Sequence, residues 1–531
     1  MTKSDSRNIV LTGFMGTGKT TVGRLLADQL GYEFVDTDQL IEQRHGTIAE
    51  LFRSRGEEAF RQIERELAAE LGDRDRLVIS TGGRLMLDPR NVASLSRNGR
   101  VFCLVATPDE IFDRIVKDDS GIERPLLAVP DPRQRIVELL AERSPEYRRF
   151  AQLTTDTVRA DAVAADLAAL AQSDPHRFAI DNPSGGYEFS VGAAVLPFVR
   201  QLARIEGPLV VVTNADVGAL YLASCGEVDL AVVLPHETGS PKTLAAVQHV
   251  YDALLEANVD RSATIVSLGD SDVGDVAGFV AATYLRGLDL VHCPTDLIAM
   301  VDTSIGGKVG LDVPHGKNLI GLFKQPRAVV ADVATLQTLS RREFASGMAE
   351  VVKHAVLAGG PLLTELERGQ WHGMSHEERD ALGRLQALVA QAIQVKIAIV
   401  QDDPFEASRR AVLNLGHTFA YAFEQVGGGA LTHGEAVGVG LVAAARLSER
   451  LGLAATGLAD RVETLVGGVG LATSLPAAMP VDALAEAMHR DKKRKDGKLR
   501  FVVLRDVGDP VVTEEVPASR LAEVLVSVQP A

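Results

Sequence analysis

A glycine-rich segment near the start of the chain combines residue types that bind phosphate. Gly13 to Thr20 read GFMGTGKT, which fits G-x-x-x-x-G-K-[ST] between an apolar run, NIVLTG, and a helix-like segment, KTTVGRLLADQL. In such a loop backbone N–H groups face nucleotide phosphates, Lys19 neutralises the β and γ oxygens, and Thr20 ligates Mg²⁺. The motif predicts an ATP–Mg²⁺ site made by Gly16, Thr17, Gly18, Lys19, Thr20 and Thr21.

A second candidate site lies in the stretch LNLGHTFAYAFEQVGGGALTHGEAV, from Leu413 to Val437. His417 and His433 each stand beside a glycine inside an apolar, helix-like run. Neutral imidazole is a common metal ligand, although a lone histidine in an apolar helix is more often a hydrogen-bonded core residue. Two histidines in this pattern favour a shared metal ion, which needs a further ligand from elsewhere in the chain.

The composition sets the kind of protein that carries these sites. At about 150 residues per domain, 531 residues indicate three folding units. The net charge of −16 argues against a general nucleic-acid binder. Three widely separated cysteines, Cys103, Cys225 and Cys293, favour a reducing cytosol. We find neither a signal peptide nor an apolar stretch of membrane-spanning length, so we expect a cytoplasmic protein without a membrane span.

The pattern of apolar segments predicts an α/β protein. Residues 8 to about 170 alternate short apolar runs with amphipathic helices, which is typical of βαβ units around a parallel sheet. A second α/β pattern precedes residue 333, and the chain beyond it is almost wholly helical in periodicity. The segment after Gln172 is rich in Pro, Gly, Asp and Ser and is the best linker candidate. We predict domains at 1–171, 187–332 and 333–531, with a linker at 172–186.

Residues 8–170 resemble shikimate kinase. The resemblance rests on the P-loop, DTD after the second apolar run, GEEAFRQIE, STGG, ERPLL and ERSPEYRRF, in that order. It implies a three-layer α/β/α P-loop kinase that phosphorylates shikimate with ATP and Mg²⁺. Asp36 would lie near the Mg²⁺ site and Asp38 would receive the substrate hydroxyls. The remaining substrate residues implied by the motifs are Arg61, Gly82, Gly83, Arg124 and Arg143.

The arginines of this set suit the implied reaction. Arg61 and Arg143 match the pair that clamps the shikimate carboxylate in the family, and bidentate guanidinium suits a carboxylate. Arg124 matches the lid arginine that faces the transferring phosphate, where charge neutralisation matters more than covalent help. Each arginine alone could be a surface ion pair, but the set occurs in family order. One departure is Arg84, which stands where the family has a third glycine.

Residues 187–531 resemble 3-dehydroquinate synthase over nearly their whole length. The motifs are VGDVAGFVAATYLRG, VDTSIGGKVGLD, HGKNLIG, SGMAEVVKHA, RRAVLNLGHT, LTHGEAV and RDKKRKDGKLRF. The resemblance implies a Rossmann-like α/β NAD domain followed by an α-helical metal-binding domain. It also supplies the missing ligand, because Zn²⁺ in the family is held by residues that match Glu350, His417 and His433. Co²⁺ is a possible substitute, and three ligands leave the coordination positions that a catalytic metal needs.

The implied reaction converts the seven-carbon keto-acid phosphate DAHP into 3-dehydroquinate and phosphate, with NAD⁺ used catalytically. A site for a carboxylate and a phosphate needs cations. The matching catalytic and substrate residues are Lys308, Lys353, Lys396, Arg410, Asn414, Arg286, Asn318 and the Lys492–Lys493 pair. The residues expected at the cofactor are Lys242, Gly269, Asp270, Gly274, Asp275, Asp296, Lys308, Lys317 and Thr338.

Several positions depart from the synthase pattern. Asp270 stands in a loop that is normally glycine-rich, Asp296 replaces a threonine, and Tyr421 replaces a second histidine near the departing phosphate. Pro404 and Ser408 replace an acid and a glycine. A carboxylate at position 270 would repel the cofactor pyrophosphate, so we expect weak NAD⁺ binding. The alternative is that Asp270 caps the following helix through a backbone N–H.

Three other interpretations stay open at this stage. Metal-dependent alcohol dehydrogenases share the two-domain architecture, but they usually ligate with an Asp and three His and lack the cationic pocket. Other sugar-phosphate cyclases are nearer relatives that differ in pocket residues. A fusion with one decayed site is the third. The favoured activities belong to the shikimate pathway without being adjacent steps, so channelling is not implied. A homodimer through the synthase region is expected, with small molecules as the other partners.

Overall fold

The architecture is taken from a computed structural model of the 531-residue chain. It describes residues 7–117, 127, 129–147, 150–156, 159–172, 175–183, 185–235, 241–369, 371, 381–404, 409–489 and 499–530. The predicted α/β class is confirmed: two mainly parallel sheets are followed by a largely helical region.

The first unit is a five-stranded parallel sheet with strand order β2-β3-β1-β4-β5. Its strands are β1 (Asn8–Thr12), β2 (Glu33–Asp36), β3 (Leu77–Ser80), β4 (Gly99–Val105) and β5 (Ala151–Thr154). Its helices are α1 (Lys19–Leu30), α2 (Thr37–His45), α3 (Ile48–Gly72), α4 (Pro89–Ser96), α5 (Pro108–Val116), α6 (Pro132–Tyr147) and α7 (Ala160–Gln172). Every residue of β1 is buried between β3 and β4, so the loop that follows it starts from a fixed point.

The second unit is a seven-stranded sheet with strand order β6-β7-β14-β11-β10-β8-β9. The strands are β6 (His176–Ile180), β7 (Tyr187–Gly192), β8 (Leu209–Thr213), β9 (Leu230–Val233), β10 (Thr264–Gly269), β11 (Asp289–Pro294) and β14 (Ala328–Asp332). The helices between them are α8 (Val199–Leu202), α9 (Ala215–Tyr221), α10 (Leu244–Glu256) and α11 (Ser271–Thr283). A hairpin of β12 (Lys308–Val313) and β13 (Gly316–Phe323) leaves this sheet and packs against α11.

Helices dominate the third unit, as the periodicity predicts. They are α12 (Arg341–Ala358), α13 (Gly360–Glu367), α14 (Ala381–Asp402), α15 (His417–Gly427), α16 (His433–Arg450), α17 (Leu458–Gly468), α18 (Val481–His489) and α19 (Ala518–Ser527). The expectation of an almost wholly helical region missed one hairpin, formed by β15 (Phe501–Asp506) and β16 (Asp509–Thr513). The inner face of β15 packs on α16, so this short strand pair closes the helical core.

The segment predicted as a linker contains a strand. β6 lies inside residues 172–186 and pairs antiparallel with β7, so it extends the second sheet. The two units also meet directly. The buried guanidinium of Arg100 donates to the carbonyl oxygens of Leu170 and Ala193. The side chain of Gln337 exchanges two hydrogen bonds, of 2.9 and 3.0 Å, with the backbone of Gln152 at the outer edge of β5.

One helix in the described residues, Leu382–Asp402, is long and apolar enough by length and composition to cross a membrane. Of its most apolar window, 61% is buried inside the protein. The core helix of a globular protein passes the same test, and α14 packs against α12 in this way.

Candidate active sites

The loop between β1 and α1 has the geometry of a phosphate site. Gly16 and Gly18 adopt positive φ angles of 79° and 88°, which glycine tolerates and other residues rarely adopt. No side chain caps α1, so its first-turn N–H groups stay directed at the loop, where an anion binds best. Lys19 Nζ donates to the carbonyl oxygens of Gly13 and Phe14 at 2.9 Å. Burial lowers the pKa of Lys19, and the carboxylate of Asp38 opposes that shift.

Two carboxylates stand beside this loop. Thr20 Oγ1 donates to Asp36 Oδ2 at 2.9 Å, which places a hydroxyl and a carboxylate together where Mg²⁺ is expected. Burial and the neighbouring charge of Asp36 raise the pKa of Asp38 to about 6, against the opposing effect of Lys19. A Cβ atom at Gly82 would lie 2.3 Å from Asp38 Oδ1, so only glycine fits there. Asp38 therefore packs closely against the backbone at Gly82, beside the P-loop lysine.

The predicted arginines have different surroundings. Arg143 is buried, its guanidinium lies over the Phe14 ring, and a Cβ at Gly83 would be 3.7 Å from it. Arg61 donates to Glu64 at 2.6 Å and to a second acid, Glu57, at 3.0 Å. The half-exposed side chain of Arg84 reaches the same Glu57 oxygen at 3.5 Å. Arg124 lies outside the described residues, so its predicted place at the phosphate stays a prediction.

The predicted metal ligands converge in the helical third unit. Glu350, His417 and His433 each offer a ligand atom, and these atoms lie within 4.8 Å of one another. Glu350 Oε1 is 3.4 Å from His417 Nε2 and 3.6 Å from His433 Nε2. A tetrahedral site with ligand distances of roughly 2.0–2.2 Å has edges of about 3.3–3.6 Å. Glu350 is fully buried and Oε1 accepts no hydrogen bond within the described part of the chain, so the three atoms fit a Zn²⁺ ion.

Both imidazoles are held in orientation by a partner at the ring nitrogen that faces away from the metal site, Nδ1. His417 Nδ1 faces the carbonyl oxygen of Leu415 at 3.1 Å, and His433 Nδ1 faces Glu424 Oε1 at 2.8 Å. Partners of this kind fix the ring tautomer so that Nε2 presents its lone pair to a metal. Lys317 stands 3.6 Å from the other oxygen of Glu424, so this predicted cofactor residue instead contacts the outer shell of the metal site.

The carboxylate of Glu350 begins a chain of buried charges. Lys353, one turn along α12, forms an ion pair with Glu350 Oε2 and lies 3.7 Å from Asp302, which also accepts from Lys396 at 2.6 Å. Burial alone would raise the pKa of Glu350, but Lys353 and His417 outweigh it and hold that pKa well below its usual range. Burial lowers the pKa of Lys396 to about 8, against the opposing effect of Asp302.

A second group of possible ligands shares Glu350. Asp302, Glu350 and His354 also place ligand atoms within 4.8 Å of one another. Asp302 is already neutralised by Lys353 and Lys396, whereas Glu350 Oε1 faces the two imidazoles. A metal ion among the second group would lie against the Lys353 ammonium, and the two positive charges would repel each other. The triad of Glu350, His417 and His433 is therefore the favoured metal site.

A cleft with about 1540 Å³ of empty space opens beside the triad. Nine predicted residues line it: Lys242, Asp275, Lys308, Asn318, Lys353, Lys396, Arg410, Asn414 and His417. Arg410 is buried and donates to the carbonyl oxygen of Pro404 at 2.8 Å. A Cβ at Gly306, whose φ is +96°, would lie 2.2 Å from its guanidinium, so glycine is required for this approach. The cleft can therefore hold a substrate with two anionic groups.

The loop between β10 and α11, where the sequence predicts the nucleotide, borders the same cleft. Gly269, Asp270, Gly274, Asp275 and Lys308 line an adjoining cavity at the carboxyl end of β10. Lys242 Nζ donates to Asp275 Oδ2 at 2.7 Å and to Asn318 Oδ1 at 2.9 Å. Asp270 caps α11, since its Oδ1 accepts from the N–H groups of Asp272 and Val273. The capping alternative for Asp270 is thus realised in the fold.

Some predicted residues lie elsewhere. Arg286 is exposed in the short turn Tyr284–Arg286 that follows α11, and it lines neither cavity. Thr338 bonds to the Tyr221 hydroxyl at 2.7 Å and also lies outside both cavities. The Lys492–Lys493 pair is outside the described residues. Asp302 and Glu424 are not predicted from the sequence, although Asp302 is in VDTSIGGK and Glu424 follows His417 by two helical turns.

Comparison with known proteins identifies both parts. The shikimate kinase family profile matches residues 15–172. The profiles of the N-terminal and C-terminal parts of 3-dehydroquinate synthase match residues 232–346 and 347–494. The 3-dehydroquinate synthase of Nostoc punctiforme is 38% identical over 358 residues, covering 65% of this chain and 98% of that protein. The same enzyme of Halorhodospira halophila is 45% identical over 319 residues, covering 59% and 88%.

Two solved structures are similar in fold to the part of the chain that follows the kinase region. The 2-epi-5-epi-valiolone synthase of Streptomyces hygroscopicus, with NAD⁺ and Zn²⁺ bound, is 26% identical with a TM-score of 0.59 and covers 64% of this chain and 96% of its own. A 2-deoxy-scyllo-inosose synthase with NAD⁺ and Co²⁺ matches with a TM-score of 0.61 over 66% of this chain and all of its own. At 24% identity the second likeness shows the fold alone.

The fold and the two sites define a P-loop kinase joined to a larger α/β enzyme with a metal-ligand triad beside a nucleotide loop. The chain belongs to the 3-dehydroquinate synthase family and carries a shikimate kinase domain ahead of the synthase in the same polypeptide. Both predicted resemblances are confirmed, and both parts are enzymes of those families. The domain boundaries stay a prediction.

Asp296 gives the free protein a distinctive pH dependence. Burial and the neighbouring Asp270 raise its pKa to about 7, and its side chain accepts from the Ala299 N–H at 2.7 Å. The folded-state pKa lies above the unfolded value of 3.8, so the protonated Asp296 side chain contributes to stability most fully below about pH 4. That contribution is lost as the pH rises through 7 and the buried carboxyl group ionises. Asp296→Asn keeps the acceptor and removes the charge, so we expect a gain of about 1–3 kcal/mol at pH 8.

Thermal unfolding of both proteins at pH 4 and pH 8 measures this effect. The midpoint of Asp296→Asn should exceed that of the wild type at pH 8 and equal it at pH 4. Asp260→Asn is the matched control, because Asp260 is exposed and its side chain accepts a hydrogen bond from the nearby Ser262 N–H. The unfolding midpoint of this variant should not rise above that of the wild type at pH 8. A difference between Asp296→Asn and the wild type that does not change with pH would contradict the assigned titration.

Proposed function

We propose that the chain is a bifunctional enzyme of aromatic biosynthesis. The kinase phosphorylates shikimate to shikimate 3-phosphate with ATP, and the synthase converts DAHP to 3-dehydroquinate with release of phosphate. The observation that carries the synthase proposal is that three metal ligands, five cleft-lining cations and the loop after β10 lie together around one cleft. For the kinase it is the placement of Asp38 and Arg143 beside the P-loop.

In the kinase, the residues bind and orient two substrates. The first-turn N–H groups of α1 and Lys19 bind the ATP phosphates, once Lys19 leaves the carbonyl oxygens of Gly13 and Phe14. Thr20 and Asp36 would hold Mg²⁺, which neutralises charge on the transferring phosphoryl group. Asp38, with a pKa near 6, is mostly ionised at pH 7 and accepts the hydrogen bond of the attacking hydroxyl.

The acceptor is oriented by its carboxylate. Arg143 is held in place by packing on Phe14, and Arg61 by Glu57 and Glu64. Both guanidiniums can offer two parallel N–H donors to a planar carboxylate, and this fixes the ring with one hydroxyl at Asp38. Shikimate has the carboxylate and the ring hydroxyls that this pocket selects.

In the synthase, the cleft residues hold an acid with a phosphate. Lys353, Lys396, Arg410 and Lys308 supply positive charge from different sides, while Asn318 and Asn414 supply neutral hydrogen bonds. Because Lys396 has a pKa of about 8, it stays mainly protonated at pH 7 and binds an anion. Bound NAD⁺ would accept and return a hydride. A metal held by Glu350, His417 and His433 would polarise substrate oxygens as a Lewis acid.

The kinase and synthase activities should be separable by mutation. Lys19→Ala should abolish ATP-dependent phosphorylation of shikimate, by a thousandfold or about that, because the β and γ phosphates lose their main side-chain cation. Phosphate release from DAHP should continue at the wild-type rate, since Lys19 begins α1 in the first unit and lines neither of the synthase cavities. Lys117→Ala is a matched control, because Lys117 is an exposed lysine of the same unit.

Coupled assays for shikimate 3-phosphate and for phosphate released from DAHP measure both rates in one preparation. Loss of both activities in folded Lys19→Ala protein would contradict two independent sites. Wild-type protein that phosphorylates no shikimate would contradict the kinase assignment itself.

The synthase should require a metal. Dialysis against a strong chelator should stop phosphate release from DAHP, and added Zn²⁺ or Co²⁺ should restore it. His433→Ala should weaken zinc binding by roughly a hundredfold or more, because two ligands hold the ion less well than three. His249→Ala, at an exposed histidine of α10, should bind zinc as the wild type does.

Zinc affinity by competition with a chromogenic chelator and DAHP turnover are the two readouts. Turnover that survives complete removal of metal would contradict the role of the triad. Equal zinc affinity in the wild type and His433→Ala would show that the ion binds elsewhere.

A further inference from the structure

Two neighbouring strands end in aspartate where the cofactor is proposed to bind. β10 and β11 are parallel and Gly269 pairs with Pro294, so their carboxyl ends lie at one edge of the sheet. Asp270 directly follows β10, and Asp296 follows β11 by two residues. Ligands of open parallel sheets bind at this edge, and a cofactor pyrophosphate usually lies at the start of the helix that follows the strand.

The N–H donors at the start of α11 are already engaged. Asp270 Oδ1 accepts from the N–H groups of Asp272 and Val273, each at 3.0 Å. The N–H of Gly274 donates to the backbone carbonyl oxygen of Asp270 at 3.0 Å. The Gly274 bond is the first regular bond of the helix, so it would form with any residue at position 270. The two N–H groups that could otherwise bind a phosphate oxygen, those of Asp272 and Val273, are both occupied by one carboxylate. The carboxylate stands where an anionic ligand would receive these hydrogen bonds.

The charge around the loop reinforces this arrangement. Lys242 is buried and lies 2.7 Å from Asp275 and 3.5 Å from Asp272, so its positive charge is matched by acids of α11. Asp296 adds a further carboxylate, which caps the turn at Ala299. Burial raises the pKa of Asp270 and the charge of Asp272 adds to that shift, while the capping hydrogen bonds and Lys242 oppose it. An incoming pyrophosphate meets negative charge as well as occupied donors.

We propose that the Asp270 carboxylate occupies the anion position of the nucleotide site in the free protein, and that NAD⁺ binds by displacing it. This inference rests on the proposed use of NAD⁺ by the synthase. Displacement requires the Asp270 side chain to release the N–H groups of Asp272 and Val273, which the pyrophosphate oxygens then take. Asp270 is therefore an internal competitor that sets cofactor affinity. The hydrogen bonds with which it caps the helix are the same ones that NAD⁺ must break.

The replacement of aspartate by asparagine separates charge from shape. Asp270→Asn keeps the side-chain oxygen and caps a helix as well as aspartate, so the fold of α11 is maintained. It removes the negative charge, and its neutral amide competes less well with a pyrophosphate. Isothermal titration of the full-length, zinc-loaded protein with NAD⁺ should show about tenfold tighter binding by Asp270→Asn than by the wild type at low salt.

The electrostatic part of this gain should depend on salt. At 0.5 M NaCl the difference should shrink severalfold, because the loop borders open cavities and its charges are partly screened. Asp270→Ser is the second variant, since serine also caps helices and carries no charge, and it should bind NAD⁺ more tightly as well. Asp260→Asn, an exposed acid just before β10 at the opposite edge of the sheet, should bind as the wild type does.

The outcomes separate this inference from the proposed function. If Asp270→Asn and Asp270→Ser bind NAD⁺ no more tightly than the wild type, the internal-competitor role is overturned while NAD⁺ use stands. If neither the wild type nor any variant binds NAD⁺, the proposed cofactor is wrong and this inference falls with it. Tighter binding by both variants but not by Asp260→Asn supports the proposal.

Discussion

The buried carboxylate of Glu350 is the constraint around which the synthase is built. A carboxylate with no solvent exposure is costly unless cations or a metal compensate it. Lys353 compensates one oxygen from the same helix, and Asp302 and Lys396 continue the alternation of charge into the cleft. The other oxygen faces two imidazoles that are oriented by Leu415 and Glu424. The lysines of the cleft and the metal ligands therefore depend on one another through the side chain of Glu350.

The two loops at which nucleotides are proposed to bind differ in how the N-terminus of the following helix is capped. After β1, the helix α1 has no side-chain cap, so its N–H groups are available to ATP phosphates. After β10, the helix α11 carries its own carboxylate cap at Asp270. Both loops follow buried parallel strands and precede helices, a context that favours an anion at each, but the sequence already marks Asp270 as a departure in the second. The single side chain at the cap position makes the difference.

Local patterns predicted much of this arrangement. The P-loop and the histidine pair were identified from residue types and spacing, and the structure brings His417, His433 and Glu350 together. β6 was hidden because a short strand in a Pro- and Gly-rich segment forms only when β7 offers its edge. Asp302 and Glu424 have no periodic signal of their own, since their roles arise from helices that meet in space. Arg286 is predicted at the substrate by its motif, but it lies beyond the end of α11 and lines neither cavity, so that role stays a prediction.

X-ray absorption spectroscopy of the zinc-loaded, full-length protein tests most directly the claim that the Glu350 charge is compensated by a metal. We expect zinc bound by two imidazole nitrogens and by oxygen at about 2.0–2.2 Å, with no sulfur. Cys103, Cys225 and Cys293 are buried and belong to none of the candidate metal groups among the described residues. Zinc with a sulfur ligand at about 2.3 Å, or with fewer than two imidazoles, would contradict it.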